Sequence, residues 1–168
     1  YIYIARPDSV MNGISIYEAR KKMGELLYKE CPTQADIVIG APDSGLLASL
    51  GYANASNIQY EKGLVKNRYI GRTFIDPDSL IRKQSVVIKL NAISSVVKDR
   101  DVILVEDSIV RGTTITRIIK ILREKGARKV HVRVAAPPVL FEENISIDIP
   151  NRESLMCYGK TIEEVRDE

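Results

Sequence analysis

Residues 102–114 constrain the fold of this chain more than any other part of its sequence. The apolar, mostly β-branched residues at 102–105 predict a buried parallel strand, and two carboxylates, Glu106 and Asp107, follow directly. A short loop rich in hydroxyl groups and glycine comes next, and a helical pattern starts at Thr114. Because ligands of open α/β sheets bind at the carboxyl ends of strands, this stretch predicts a ligand site in an α/β fold.

The chemistry of this stretch suits a sugar phosphate. The carboxylates of Glu106 and Asp107 can accept hydrogen bonds from vicinal ribose hydroxyls or bind a divalent cation. The backbone N–H groups of the loop and of the helix start attract a phosphate dianion, and Gly112 lets the backbone approach it closely. Hydroxyl donors are available on Ser108, Thr113 and Thr114. A buried strand ending in a solvated acidic turn is the alternative, but the loop and helix that follow favour a ligand site.

The rest of the chain alternates between strand and helix patterns. Strands are predicted at 1–5, 37–39, 58–60, 102–105 and 129–134, and helices at 15–30, 45–55, 114–126 and 162–166. The first helix begins with a capping box of Ser15 and Glu18. Its apolar stripe comprises Ala19, Met23, Leu26 and Leu27. The alternation predicts one domain, an open, mostly parallel twisted sheet with helices on both faces.

A second strand-to-helix junction lies at residues 42–45, where Asp43, Ser44 and Gly45 precede a helix. Free N–H groups at such a junction can bind another phosphate, although an Asp-Ser pair before a helix is more often a simple N-cap. The strands ending at Ile39 and Val105 are expected to present their loops along the same edge of the sheet. The cationic segment 63–77 has weak periodicity and predicts a mobile loop or an extended ribbon.

Residues 102–114 resemble the signature of the type I phosphoribosyltransferases, which hold 5-phosphoribosyl-1-pyrophosphate (PRPP). The Ser-Ile-Val-Arg-Gly-Thr-Thr sequence at 108–114 is similar to that of the glutamine PRPP amidotransferases, and residues 66–75 resemble the flexible catalytic loop of that family. The likeness extends over residues 1–138 and resumes at 147–164. Glu106 replaces the aspartate that is usual there, and Val87 and Ile88 stand where polar residues are common.

The resemblance implies roles for individual residues. The loop 108–114 would hold the 5′-phosphate, while residues 43–45 and the cationic loop would face the pyrophosphate. Catalytic roles are implied for Lys66, Arg68, Tyr69, Lys89, Glu106 and Asp107. Substrate binding is implied for Asp43, Ser44, Gly45, Arg72, Asp107, Ser108, Ile109, Val110, Arg111, Gly112, Thr113 and Thr114. Mg²⁺ would be surrounded by Ser44, Glu106 and Asp107.

The function implied is that of an amidophosphoribosyltransferase, a glycosyltransferase of the pentosyl class. It would transfer the phosphoribosyl group of Mg-PRPP to ammonia, giving 5-phosphoribosylamine and pyrophosphate in purine nucleotide biosynthesis. The alternatives are a nucleobase phosphoribosyltransferase and a non-catalytic PRPP or nucleotide sensor. Retention of the cationic segment 66–75 favours the enzyme.

The resemblance also bears on domains and partners. Residues 1–168 would form the phosphoribosyltransferase domain, and a glutaminase domain, lost or supplied separately, would deliver the ammonia. A homo-oligomer is implied. No iron–sulfur cluster is expected, because residues 142–144 are Glu-Glu-Asn where the family has a cysteine. Cys31 and Cys157 lie far apart, which fits a reducing cytoplasm. The net charge of +3 comes without a basic run typical of nucleic-acid binding, and no apolar run approaches the ~18 residues of a membrane span.

Overall fold

The computed structural model describes residues 5–66, 90–141 and 151–167, in which strands and helices alternate. In chain order the elements are β1 (Val10–Met11), β2 (Ile14–Ser15), α1 (Ile16–Glu30), β3 (Ile37–Gly40), α2 (Gly45–Ser56), β4 (Leu64–Lys66), β5 (Leu90–Ala92), α3 (Ser94–Val97), β6 (Asp101–Glu106), α4 (Thr113–Glu124), β7 (Lys129–Val134), a 3-10 turn (Arg152–Ser154) and α5 (Ile162–Asp167). No helix within these ranges is both long and apolar enough to cross a bilayer.

The centre of the fold is a parallel sheet in the order β3-β6-β7. β6 lies between its two neighbours, with Gly40 of β3 opposite Val105 and Val134 of β7 opposite Glu106. The predicted strands at 102–105 and 129–134 are therefore confirmed, and the first is longer by one residue at each end. Because all three strands run in one direction, their carboxyl ends meet at one edge of the sheet.

Helices cover both faces of this sheet, as predicted. Alternate strand residues point to opposite sides, so the sheet separates two apolar clusters. One cluster joins the sheet to α2 and comprises Val38, Ala48, Tyr52, Ala53, Ile103 and Val105. The other contains strand residues Ile37, Ile39, Val102 and Leu104 with α4 residues Ile115, Ile118 and Leu122. Burial on both faces explains why β6 is a continuous apolar run.

The contact between α1 and α2 is made through two glycines. A Cβ atom added at Gly24 would overlap the carbonyl oxygen of Ala48, and one added at Gly51 would overlap that of Lys21. The buried line of α1 is accordingly Ile16, Arg20 and Gly24. Of the predicted stripe, Ala19, Met23 and Leu27 are half-buried and Leu27 packs against the core, but Leu26 is wrong, since it is 46% exposed. The stripe misses the contact because it counts side-chain hydrophobicity, and here the close approach of two backbones decides which face is buried.

A hairpin before α1 is absent from the sequence-based prediction. β1 and β2 pair antiparallel, and Asn12 and Gly13 between them have φ angles of 50° and 77°. An Asn-Gly pair is a strong two-residue hairpin signal, so the sequence did contain the information. Of the strand predicted at residues 1–5, only Ala5 lies within the described residues, and it is not in a strand.

The predicted strand at 58–60 is reduced to one parallel bridge between Tyr60 and Val38. For the cationic segment the structure describes the base alone: β4 and β5 pair antiparallel, with Lys66 opposite Leu90. This base is ribbon-like, in line with one of the two predicted forms. The predictions for 67–89, including Val87 and Ile88, fall outside the described residues.

Candidate active site

Two loops that the sequence predicts to be neighbours do meet at the carboxyl edge of the sheet. The backbone N–H of Ala41, just after β3, donates to the carbonyl oxygen of Val105 at 2.9 Å. A Cβ atom at Gly45, the first residue of α2, would lie only 2.5 Å from that same oxygen and 3.3 Å from the Cα of Glu106. The start of α2 therefore packs directly against the end of β6, which needs glycine at position 45.

The two carboxylates at the end of β6 are held by the backbone on both sides. The N–H of Asp107 donates to Oε1 of Glu106 at 3.1 Å, and the hydroxyl of Ser108 donates to Oδ1 of Asp107 at 3.1 Å. The carbonyl oxygens of Glu106 and Asp107 accept from the N–H groups of Ala135 and Ala136, at 3.0 and 2.8 Å. These last two residues extend the pairing of β7, so the acidic pair is fixed by the sheet itself.

Glu106 differs from Asp107 in its surroundings. It is 8% exposed, whereas Asp107 is half-buried. Burial, and in the second place the neighbouring Asp107 side chain, together raise the pKa of Glu106 to about 8. In the absence of a cation, the protonated form of Glu106 is thus favoured at neutral pH.

We expect the stability of the metal-free protein to fall between about pH 4.5 and pH 8, because the pKa of Glu106 is about 8 in the fold and near 4.5 when unfolded. Below this window Glu106 is neutral in both states; within it only the unfolded state has lost the proton. A proton that is held in the folded state and lost in the unfolded state lowers the free energy of unfolding by up to about 1.4 kcal/mol for each unit rise in pH. Glu106→Gln should flatten the profile, measured by urea unfolding with a chelator present.

Glu124→Gln, at an exposed position of α4, is the matched control and should leave the pH profile unchanged. Other groups titrate in the same window, so the comparison is between variants and not between pH values. A Glu106→Gln profile as steep as that of the unsubstituted protein would contradict the assigned pKa.

The phosphate loop, which we define as residues 108–114, follows the carboxylates. It lines an open cavity of about 440 Å³ together with Glu106, Asp107 and Ile115. Gly112 has a φ of 77°, which only glycine adopts without strain, and its carbonyl oxygen accepts from both the N–H and the hydroxyl of Thr116 at 3.0 Å. α4 begins at Thr113, one residue earlier than predicted. Its first-turn N–H groups have no acceptor within the helix and are available to an anion.

At the start of α2, Ser44 occupies the N-cap position, but its side chain makes no capping hydrogen bond. The simple N-cap interpretation of Asp43-Ser44 is therefore not what the structure contains. The preceding peptide bond, between Pro42 and Asp43, is cis. The Nζ of Lys66, at the end of β4, lies 2.8 Å from Oδ2 of Asp43. This ion pair brings the first cation of the 66–75 segment to the loop at 42–45.

The structure thus assembles most of the predicted site residues at one edge. Together there lie Asp43, Ser44, Gly45, Lys66, Glu106, Asp107 and the phosphate loop, Ser108, Ile109, Val110, Arg111, Gly112, Thr113 and Thr114. Arg68, Tyr69, Arg72 and Lys89 lie outside the described residues. Two contributions were missed by sequence reasoning: the backbone of Ala135 and Ala136, and Met156, whose N–H donates to the carbonyl oxygen of Val110 at 2.8 Å. Neither has a local sequence signal.

A family model for the phosphoribosyl transferase domain matches residues 13–139. This chain belongs to the phosphoribosyltransferase family. The amidophosphoribosyltransferase of Pyrococcus horikoshii is 53% identical over 168 residues, which is all of this chain and 37% of the relative. The amidophosphoribosyltransferase of Bacillus subtilis is 48% identical over the whole chain and 35% of its own length.

Solved structures agree with this assignment of the phosphoribosyltransferase fold. A glutamine PRPP amidotransferase from Bacillus subtilis, complexed with ADP and GMP, superposes with a TM-score of 0.88 at 47% identity, covering 99% of this chain and 37% of that one. The sequence-based family and fold class are confirmed. The chain spans little more than a third of the length of the curated relatives that it matches.

Proposed function

We propose that this chain transfers the phosphoribosyl group of Mg-PRPP to ammonia, giving 5-phosphoribosylamine and pyrophosphate in purine nucleotide biosynthesis. The observation that carries the proposal is the meeting of the acidic pair, the phosphate loop and the start of α2 at one sheet edge. That arrangement matches the three parts of PRPP: ribose, 5′-phosphate and pyrophosphate. The identity of about half to amidophosphoribosyltransferases over the full chain supports ammonia as the acceptor.

In this reaction the ammonia nitrogen bonds to C1 of the ribose as the bond from C1 to the pyrophosphate oxygen breaks. The bonding pair leaves with the pyrophosphate, and the amine releases one proton to solvent. Asp107 and Glu106 would hold the ribose hydroxyls, and the phosphate loop would hold the 5′-phosphate. Lys66, Arg68 and Lys89 would neutralise charge that develops on the leaving group, which Tyr69 would also face, and Arg72 would bind the substrate. Ammonia is already a competent nucleophile, so the reaction does not require a general base.

The donor set at this edge fits Mg²⁺ that arrives with its substrate. Glu106 and Asp107 offer hard carboxylate oxygens, and the Ser44 hydroxyl is not used in capping. Among the described residues no group of three or more His, Cys, Asp or Glu side chains could enclose a metal ion. Mg²⁺ commonly binds through one or two carboxylates and completes its shell with water and phosphate oxygens. When bound, the ion would supply positive charge to the pyrophosphate.

The proposal includes the rest of the enzyme. Residues 1–168 would be the phosphoribosyltransferase domain, a glutaminase domain or subunit would release ammonia from glutamine, and the assembly would be a homo-oligomer in the cytoplasm. The curated relatives are almost three times as long as the matched region, which leaves room for such a domain. That this chain holds no iron–sulfur cluster stays a prediction.

The test is pyrophosphate release from PRPP with Mg²⁺ and ammonium at mildly alkaline pH, where free ammonia is present. We expect release that requires both PRPP and ammonium and is lost when EDTA is added. Binding of Mg-PRPP in calorimetry without any release would favour a non-catalytic sensor instead. Release that depends on a purine base and not on ammonium would favour a nucleobase transferase.

A further inference from the structure

The segment at residues 151–160 packs against the back of the phosphate loop, and one of its side chains is placed to shape that loop. We propose that Met156 is a positioning residue, which holds the loop in the geometry that receives the 5′-phosphate. This inference rests on the proposed function, since it concerns the loop that would bind that phosphate. The experiment below distinguishes a failure of this inference from a failure of the proposed function.

Met156 touches the loop at two points. Its backbone N–H donates to the carbonyl oxygen of Val110 at 2.8 Å. Its thioether occupies the space where a side chain at Gly112 would lie, because a Cβ there would be 2.6 Å from Sδ and 3.3 Å from Cγ of Met156. The positive φ of Gly112 requires glycine, and the thioether of Met156 fills the space beside it that a side chain would otherwise take.

The middle of the loop is tied to the rest of the fold at two neighbouring residues. Val110 accepts the hydrogen bond from Met156, and the partly buried side chain of Ile109 packs against the core. On one side the loop is tied through Asp107 to the extension of β7, and on the other through Gly112 to Thr116. Between these ties, the contact with Met156 fixes the backbone at Val110, which is how it helps to orient the N–H groups of the loop.

Met156 is itself held firmly. Its neighbours Leu155 and Cys157 are 3% and 8% exposed, so the chain is pinned to the core on both sides of it. The preceding 3-10 turn is capped by Asn151, whose Oδ1 accepts from the N–H of Ser154 at 3.0 Å. A flexible, unbranched thioether fills an irregular gap well, and this gap is bounded by bare backbone at Gly112.

The consequence is a specific effect on phosphate binding. Several N–H groups recognise an anion only when they converge on it. A loop that is already ordered before binding loses less conformational entropy when the anion binds. Truncation of Met156 should therefore weaken the binding of a ligand that the phosphate loop holds. It should not weaken the binding of a ligand at residues 43–45 and Lys66, which belong to the other loop of the site.

The experiment uses isothermal calorimetry on the 168-residue chain with two probes, ribose 5-phosphate and magnesium pyrophosphate. We expect Met156→Ala to lower the affinity for ribose 5-phosphate about tenfold and the affinity for magnesium pyrophosphate less than about twofold. Met156→Leu should keep the affinity for ribose 5-phosphate within about threefold of that of the unsubstituted chain, because leucine retains the apolar volume. Met23→Ala removes another partly buried methionine, on α1, and should change neither affinity.

The outcomes are distinct. If the unsubstituted chain binds neither probe, the proposed function is overturned, and the role of Met156 with it. If that chain binds both and Met156→Ala binds them equally well, only the role of Met156 is overturned. An equal loss of both affinities would also overturn it, because that pattern indicates general loosening. Met156→Val gives the same comparison if the alanine variant does not fold.

Discussion

Asp107→Asn is expected to reduce ammonium-dependent pyrophosphate release by at least about a hundredfold, as removal of one electrostatic contact to a transition state commonly does. Asparagine keeps the size of the side chain and removes its charge. Asp107 is the more exposed member of the acidic pair and lies beside the phosphate loop, where its Oδ1 accepts a hydrogen bond from the Ser108 hydroxyl. Because burial favours the protonated form of Glu106 in the absence of a cation, in the proposed reaction Asp107 would be the member of the pair that attracts Mg²⁺ and the developing positive ribose ring.

The measurement is pyrophosphate release at saturating Mg-PRPP and ammonium, compared with Asp8→Asn. Asp8 is an exposed aspartate paired with Arg6, distant in sequence from every site residue, and its variant should turn over normally. Urea unfolding would establish that Asp107→Asn is folded. If that folded variant retained activity within about twofold of the unsubstituted protein, Asp107 would have no electrostatic role in the reaction.

The largest expected effect on stability comes from Gly51→Ala. Alanine in place of glycine normally favours a helix by about 1 kcal/mol. Here the added methyl group would overlap the carbonyl oxygen of Lys21 and lie 2.8 Å from its carbonyl carbon and 3.1 Å from the N atom of Glu25. Those atoms belong to the backbone of α1 and cannot rotate away. Overpacking of this kind costs about 3 kcal/mol, so the net loss in free energy of unfolding should be about 2 kcal/mol.

Asn54→Ala is the matched control, since it introduces the same residue at an exposed position of the same helix. It should leave the free energy of unfolding unchanged or raise it slightly, because alanine has the higher helix propensity. The free energies come from urea unfolding followed by circular dichroism. A Gly51→Ala protein as stable as the control would show that α1 and α2 can separate slightly at little cost.

The elements that the sequence predicted well are those with local signals. Burial on both faces makes β6 an apolar run, alternation marks β7, and the capping box marks the start of α1 where Ser15 does accept from the N–H of Glu18. The sheet rule then places residues 43–45 beside Glu106 without knowledge of any distance. The features that could not be predicted depend on contacts between residues far apart in the sequence. Examples are the ion pair of Lys66 with Asp43 and the packing of Met156 against Gly112. No local pattern encodes these.

The position of the acidic pair at the tip of β6 has a consequence for the motions of the molecule. Among the described strands, β6 lies in the middle of the parallel sheet and pairs along its whole length with β7, and four consecutive residues before Glu106 are fully buried. We expect the amide protons of such a strand to be among the most slowly exchanging, since core strands open with free energies that approach that of global unfolding. The carboxylates therefore move with the most slowly exchanging part of the fold, and a ligand finds them already in place. In the proposed function, any part of the protein that adjusts to the arriving substrate would therefore belong to the periphery and not to the end of the site that would hold the ribose.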